Sequence, residues 1–208
     1  MQTRTIAVAL TAAAGLTGCA ALFGPNYEQM TISAVKASFS DSGIAKKERV
    51  IQDETNQACS AADVAGKDVD TAVRARLEAA NMKTIQFPAD GKFLGDWKAG
   101  EREAQSGRGM TYSDKAGDPV GGNCYNCHQI SKQEISYGTL GPSLYQYGKL
   151  RGYSDDVVKY TWGKIYNAKA YNLCTNMPRF GHEKLLTEKQ MKDIMALLLD
   201  PNSPVNKD

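Results

Sequence analysis

The chain has 208 residues, of which 42% are hydrophobic and 23% charged, with 25 Lys and Arg against 23 Asp and Glu. That near-balance removes any argument for nucleic acid or a strongly charged partner, and the hydrophobic share is ordinary for a globular protein. The length suits one domain, or one domain with a substantial extension.

Residues 1–19 read as a leader. Arg4 gives a short positive start, and the apolar run from Ile6 to Leu16 is too short to span a bilayer, as in a secretory signal. The run ends in Leu16-Thr17-Gly18-Cys19, which resembles a bacterial lipobox. Lipidation and cleavage are therefore expected at Cys19. The alternative is an ordinary cleaved signal in which Cys19 is discarded. Both readings imply export to the periplasm, and the first adds a membrane tether. No other stretch is long or apolar enough to cross a membrane.

Residues 20–29, with Gly24, Pro25 and Asn26, look like a tether. From Met30 to about Met82 the pattern is mainly helical. Thr71 to Ala80 uses strong helix formers, and Val69, Val73 and Leu77 fall on one face. Large apolar residues are too few for an independent core, so residues 20–86 are expected to form a helical N-terminal extension laid on the next domain or on a partner. Phe87 to Gly91 forms a break, and the domain proper, 87–208, is expected to begin there. Asp96 is the predicted N-cap of a helix from Trp97 to about Ser106. Gly100 disfavours that helix by propensity, and is explained if a second helix crosses it at close backbone distance.

Next comes Cys124-Tyr125-Asn126-Cys127-His128, the C-x-x-C-H pattern of c-type haem attachment. Two thiols at this spacing can add to the two vinyl groups of one porphyrin, and the following imidazole can take the iron's proximal position. Random placement of five Cys and two His in the chain would give the pattern about 0.001 times. The alternatives are a thioredoxin-like dithiol, which needs a βαβ setting, and a zinc site drawing a fourth ligand from Cys59, Cys174 or His182. The expected cofactor is one covalently bound haem c. Downstream, Gly141-Pro142-Ser143-Leu144 places Pro142 to offer its carbonyl to His128 Nδ1, fixing the tautomer and raising basicity at iron. An ordinary Gly-Pro turn is the other reading.

Ser154 or Asp155 opens a further predicted helix, on which Trp162 is expected to pack near the haem. The stretch Cys174 to Gly181 then offers Met177, with Pro178 to stiffen it, as the distal ligand. His and Met together raise the potential and leave no open iron position, which suits electron transfer. His182, which would give a bis-His haem, competes, as does Met110; Met191 and Met195 sit at helical spacing and read as core. Arg179 is placed either on a haem propionate or in solvent. With Cys19 assigned to lipid or lost, and Cys124 and Cys127 to haem, Cys59 and Cys174 remain in a compartment that permits a disulfide, two unpaired thiols being the alternative. Thr187 to Gln190 is a capping box, and it opens a last helix with a wide apolar face that stops near Asp200, before Pro201.

Several of these segments together resemble the SoxX family: Pro88-Ala-Asp-Gly91, Gly95-Asp-Trp97, Gly122 to His128, Gly141 to Leu144, Met177-Pro-Arg-Phe-Gly181, Leu186-Thr-Glu188 and Asp200 to Asn206. SoxX is the small monohaem cytochrome subunit of the SoxAX complex of bacterial sulfur oxidation. The resemblance implies an all-α, class I cytochrome c fold. Cys124 and Cys127 would bind haem, and His128 and Met177 would be its axial ligands. It also implies a heterodimer with a SoxA-type subunit. That subunit holds the active site joining thiosulfate to a cysteine of the carrier SoxY, while the SoxX subunit takes up the electrons and passes them to a downstream cytochrome c. No independent activity is then expected of this chain. A stand-alone periplasmic monohaem shuttle is the alternative function.

Overall fold

A computed structural model describes residues 24–207. The leader and Cys19 lie outside the described residues. Among those residues there are helices and no strand, so the protein is all-α, as expected. No described helix is long and apolar enough to cross a membrane.

The chain forms two compact units. The smaller contains α1, Tyr27–Ser38, whose N-cap Asn26 accepts from the Gln29 N–H at 2.9 Å, and a 3-10 turn, Lys47–Val50. Neither element buries a residue.

The larger unit comprises residues 42–45 and 51 onward. Its helices are α2, Glu54–Val64; α3, Thr71–Met82; α4, Trp97–Gln105; α5, Tyr147–Arg151; α6, Asp155–Tyr166; and α7, Glu188–Leu199. Residues 51–86 therefore belong to the same compact unit as 87–207, and no boundary falls at residue 87. The apolar face expected around Val69, Val73 and Leu77 is present. Val69 and Leu77 form a small core with Leu173, contributed from far along the chain, and Ala58, Cys59 and Val73 pack against it.

The caps follow the sequence. Asp96 accepts from Lys98 N–H, Ser154 from Val157 N–H, and Thr187 with Gln190 completes a capping box. The main core is built by α7, whose Met191, Ile194, Met195, Leu197, Leu198 and Leu199 are all buried. It crosses α4 at Gly100, where a β-carbon would stand 2.1 Å from the Asp193 carbonyl oxygen. Only a residue without a side chain lets the two backbones meet. The nearly buried Asp193 side chain completes the crossing, accepting from Asp96 N–H at 2.8 Å and from Lys189 Nζ at 2.6 Å. Trp162 is fully buried on α6, edge-on to Phe93 at 5.7 Å, and its indole N–H donates to the Gln86 carbonyl at 2.8 Å.

Candidate haem-attachment site

The C-x-x-C-H segment forms one 3-10 turn, Cys124–Asn126, entered through Asn123 in the left-handed region at φ 48°. The approach to it is pinned to the end of α4: Gly122 N–H donates to Glu103 O at 2.7 Å, and Asn123 N–H to Ser106 O at 2.9 Å. Gly121 must be glycine, since a β-carbon there would lie 2.0 Å from the Ser106 carbonyl oxygen. Within the turn, the N–H groups of Cys127 and His128 both donate to the Cys124 carbonyl.

Tyr125, between the two thiols, anchors the turn from below. Its buried hydroxyl lies 2.9 Å and 3.1 Å from the two Glu101 carboxylate oxygens and 2.8 Å from Ser131 Oγ. Gln105 Nε2 also donates to Glu101 at 2.8 Å. Burial pushes the Glu101 carboxyl above its ordinary value, opposed in part by the Tyr125 and Gln105 hydrogen bonds. Burial likewise pushes the Tyr125 phenol up. Sequence reasoning passed over this tripod, because Tyr125 occupies a position the motif leaves free.

His128 stands as expected. Its Nδ1 is 2.7 Å from the Pro142 carbonyl oxygen. A carbonyl can only accept, so Nδ1 carries a proton, and in the neutral ring the Nε2 lone pair is then left for a ligand bond. Gly141 lies flat on the imidazole, where a β-carbon would sit 2.1 Å from Cε1. Gly141 N–H donates to Cys127 O at 2.8 Å, closing the loop onto the turn.

Cys124 and Cys127 carry free thiols, whereas Cys59 and Cys174 form a disulfide. Burial pushes the Cys124 thiol up to about 12. A redox dithiol of the thioredoxin kind works through a thiol lowered towards neutrality, and Cys124 is shifted the opposite way. The zinc alternative loses Cys59 and Cys174 to the disulfide. Among the described residues no three His, Cys, Asp or Glu side chains stand together as a metal-binding group.

Met177 is half-buried, and it borders the same core cluster as Cys124. Arg179 is not in solvent. It is 9% exposed, with Nη1 2.5 Å from Asp53 and Nη2 2.5 Å from Glu183. The solvent reading is corrected here, because the guanidinium is buried against two carboxylates. His182 is half-buried, and its backbone N–H is tied to the Tyr166 carbonyl. It lines a cleft of about 1010 Å³ with Trp162, Tyr166, Leu185, Leu186 and Met191. Cys124, Cys127, His128 and Met177 do not line that cleft, so the site is defined by the turn and its supports. Two unpaired thiols on one turn, an imidazole held with Nε2 available and a thioether at the rim of the same core fit a covalently attached haem.

Fold and site thus define an all-helical protein carrying a C-x-x-C-H turn, among the described residues. The chain is 38% identical over 168 residues to an "uncharacterized lipoprotein" of Aquifex aeolicus (strain VF5), the match covering 78% of this chain and 76% of that protein. It belongs to the same family as that lipoprotein. No family model matches the chain.

Proposed function

We propose that this protein is an exported, lipid-anchored monohaem cytochrome c of the class I fold, acting as the electron-accepting subunit of a SoxAX-type complex. In this reading Cys124 and Cys127 hold haem c covalently, and His128 and Met177 are its axial ligands. The observation that carries it is the 2.7 Å bond between His128 Nδ1 and the Pro142 carbonyl beside two free thiols. That bond orients the imidazole and strengthens Nε2 as a donor to iron. The bound haem would supply a one-electron couple. The relative's description as a lipoprotein supports lipidation at Cys19, and with it a periplasmic location. The SoxAX assignment rests on the motif resemblance. His128 is committed to iron and no second histidine stands beside it for acid–base work, so the thiosulfate chemistry is assigned to the larger, SoxA-type subunit.

Expression with the haem-attachment machinery tests the first part. Haem should remain on the chain after acid–acetone extraction, and Met177→Ala should abolish the near-infrared sulfur-to-iron band while His182→Ala leaves it. Haem that extracts quantitatively refutes covalent attachment. For the second part, the isolated chain should not conjugate thiosulfate to a carrier thiol, and adding the larger subunit should restore turnover with reduction of this haem. Turnover by the chain alone, or a haem left oxidised by the pair, refutes the electron-accepting role.

A further inference from the structure

The segment that presents Met177 contains no regular helix of its own, and two fastenings flank it. Three residues before Met177, Cys174 is bonded to Cys59 of α2, across a sequence separation of 115. Two residues after it, Arg179 reaches Asp53, the residue that caps α2. Both fastenings therefore end on one helix, at its N-cap and at its middle. Between them, the Met177 backbone N–H donates locally, to Thr175 Oγ1 at 3.2 Å. Lys169 steadies the same stretch by donating to the carbonyls of Leu173 and Thr175.

Helix α2 is itself held. Thr55 Oγ1 accepts from Asn81 Nδ2 of α3 at 3.0 Å, and Asn81 Oδ1 accepts from Asn167 at the end of α6 at 3.0 Å. All three side chains are buried. A polar relay thus runs from α6 through α3 to α2, and from α2 to both sides of Met177. Side chains locked by such supports hold a ligand in one geometry, whereas a ligand on an unsupported loop does not stay there.

We infer that α2 is a positioning element for the Met177 thioether, with Cys59 and Asp53 as the positioning residues. This rests on the haem reading given above and extends it: the N-terminal extension holds the distal ligand on iron. When a fastening is cut, haem stays attached at the turn, but Met177 yields its place to added ligands.

The test uses the full-length holoprotein and titrates imidazole against the sulfur-to-iron band. Cys59→Ser/Cys174→Ser removes the first fastening. Asp53→Asn keeps a good helix cap and removes the charge opposite Arg179. Glu54→Gln, also on α2, is the control, breaking the exposed 2.6 Å pair with Arg76 of α3 without touching the Met177 segment. Relative to the wild type, the cysteine variant should lose the band at an imidazole concentration at least tenfold lower. Asp53→Asn should lose it at a concentration about threefold lower, the scale of a half-exposed ion pair. Glu54→Gln should match the wild type. A cysteine variant that binds haem and titrates within twofold of the wild type overturns the inference. If that variant fails to mature, an Asp53→Asn titration identical to the wild type overturns it instead. A wild-type protein with covalent haem but no band overturns the Met177 assignment beneath it, and is told apart because it appears before any substitution.

Discussion

Replacing Gly100 by alanine sets two effects against each other. In an isolated helix the change is favourable by about 1 kcal/mol, because alanine loses less backbone entropy than glycine. In this protein the added methyl would stand 2.1 Å from Asp193 O, 2.5 Å from Asp193 C and 3.0 Å from Ile194 N. All three atoms are backbone of α7, so no rotamer change relieves the contact, and the helices must part by about 1 Å. Overpacking of this kind costs about 3 kcal/mol, and a gap of that size forfeits part of the dispersion energy along the interface. The net expectation is a loss of about 2 kcal/mol, or a melting temperature lower by about 4–8 °C for a domain of this size. Thermal unfolding followed by far-ultraviolet circular dichroism measures it. Arg102→Ala, exposed on the same helix, serves as the control and should shift stability by no more than about 0.5 kcal/mol. An unchanged or raised melting temperature for Gly100→Ala would mean that helix propensity wins and that the two backbones are not in contact.

Two further outcomes follow from buried polar groups. The Glu101 carboxyl is raised above its ordinary 4.5 by burial, so its contribution to stability is fully present below that value and is lost as pH rises through the raised one. Glu101→Gln, which stays neutral and can still accept from Tyr125, should match the wild type near pH 4 and exceed it in melting temperature above the transition; parallel profiles at every pH would refute this. Asn167 is fully buried, donates to Asn81 Oδ1 at 3.0 Å and Thr84 Oγ1 at 2.9 Å, and accepts from Lys169 N–H. Asn167→Ala strands these partners and should cost about 3 kcal/mol in urea unfolding, and a loss below about 1 kcal/mol would show the relay to be dispensable.

Much of the local structure was legible because its causes are local. Asp96, Ser154 and Thr187 cap helices through atoms two or three residues away, and Pro142 meets His128 across a short loop. Gly100 was legible for a different reason, since a glycine inside a helix asks for an explanation and a crossing backbone supplies one. The disulfide could be read by accounting, because every other cysteine had a use. What escaped lies in partnerships that no spacing encodes. Arg179 finds Asp53 across 126 positions, and nothing in Met-Pro-Arg-Phe says that a carboxylate waits there. Asn81, Asn167 and Thr55 carry no sequence signal of their own, yet they are buried and satisfy one another. The break at Phe87 to Gly91 was visible, but it is a turn within one compact unit. The reason is that Leu77 and Val69 complete their core with Leu173, a residue their own segment could not reveal.

The crossing of α4 and α7 also governs when this protein can exist as a folded object. Asp96 and Asp193, joined at the crossing, are 97 positions apart. Bringing such distant points together costs about 4 kcal/mol of chain entropy beyond a constant, and the cost comes before most of the core contacts form. The tail then locks the result: Val205 O accepts from Gln146 N–H, while Asn206 accepts from Gly148 N–H and donates to the carbonyls of Leu198 and Asp200. A growing chain that has not reached these residues has α4 in hand and nothing to lay across it. The Cys124–Asn126 turn, lying between the two helices in sequence, is thus made long before its surroundings close around it. For that interval its two thiols belong to an open chain.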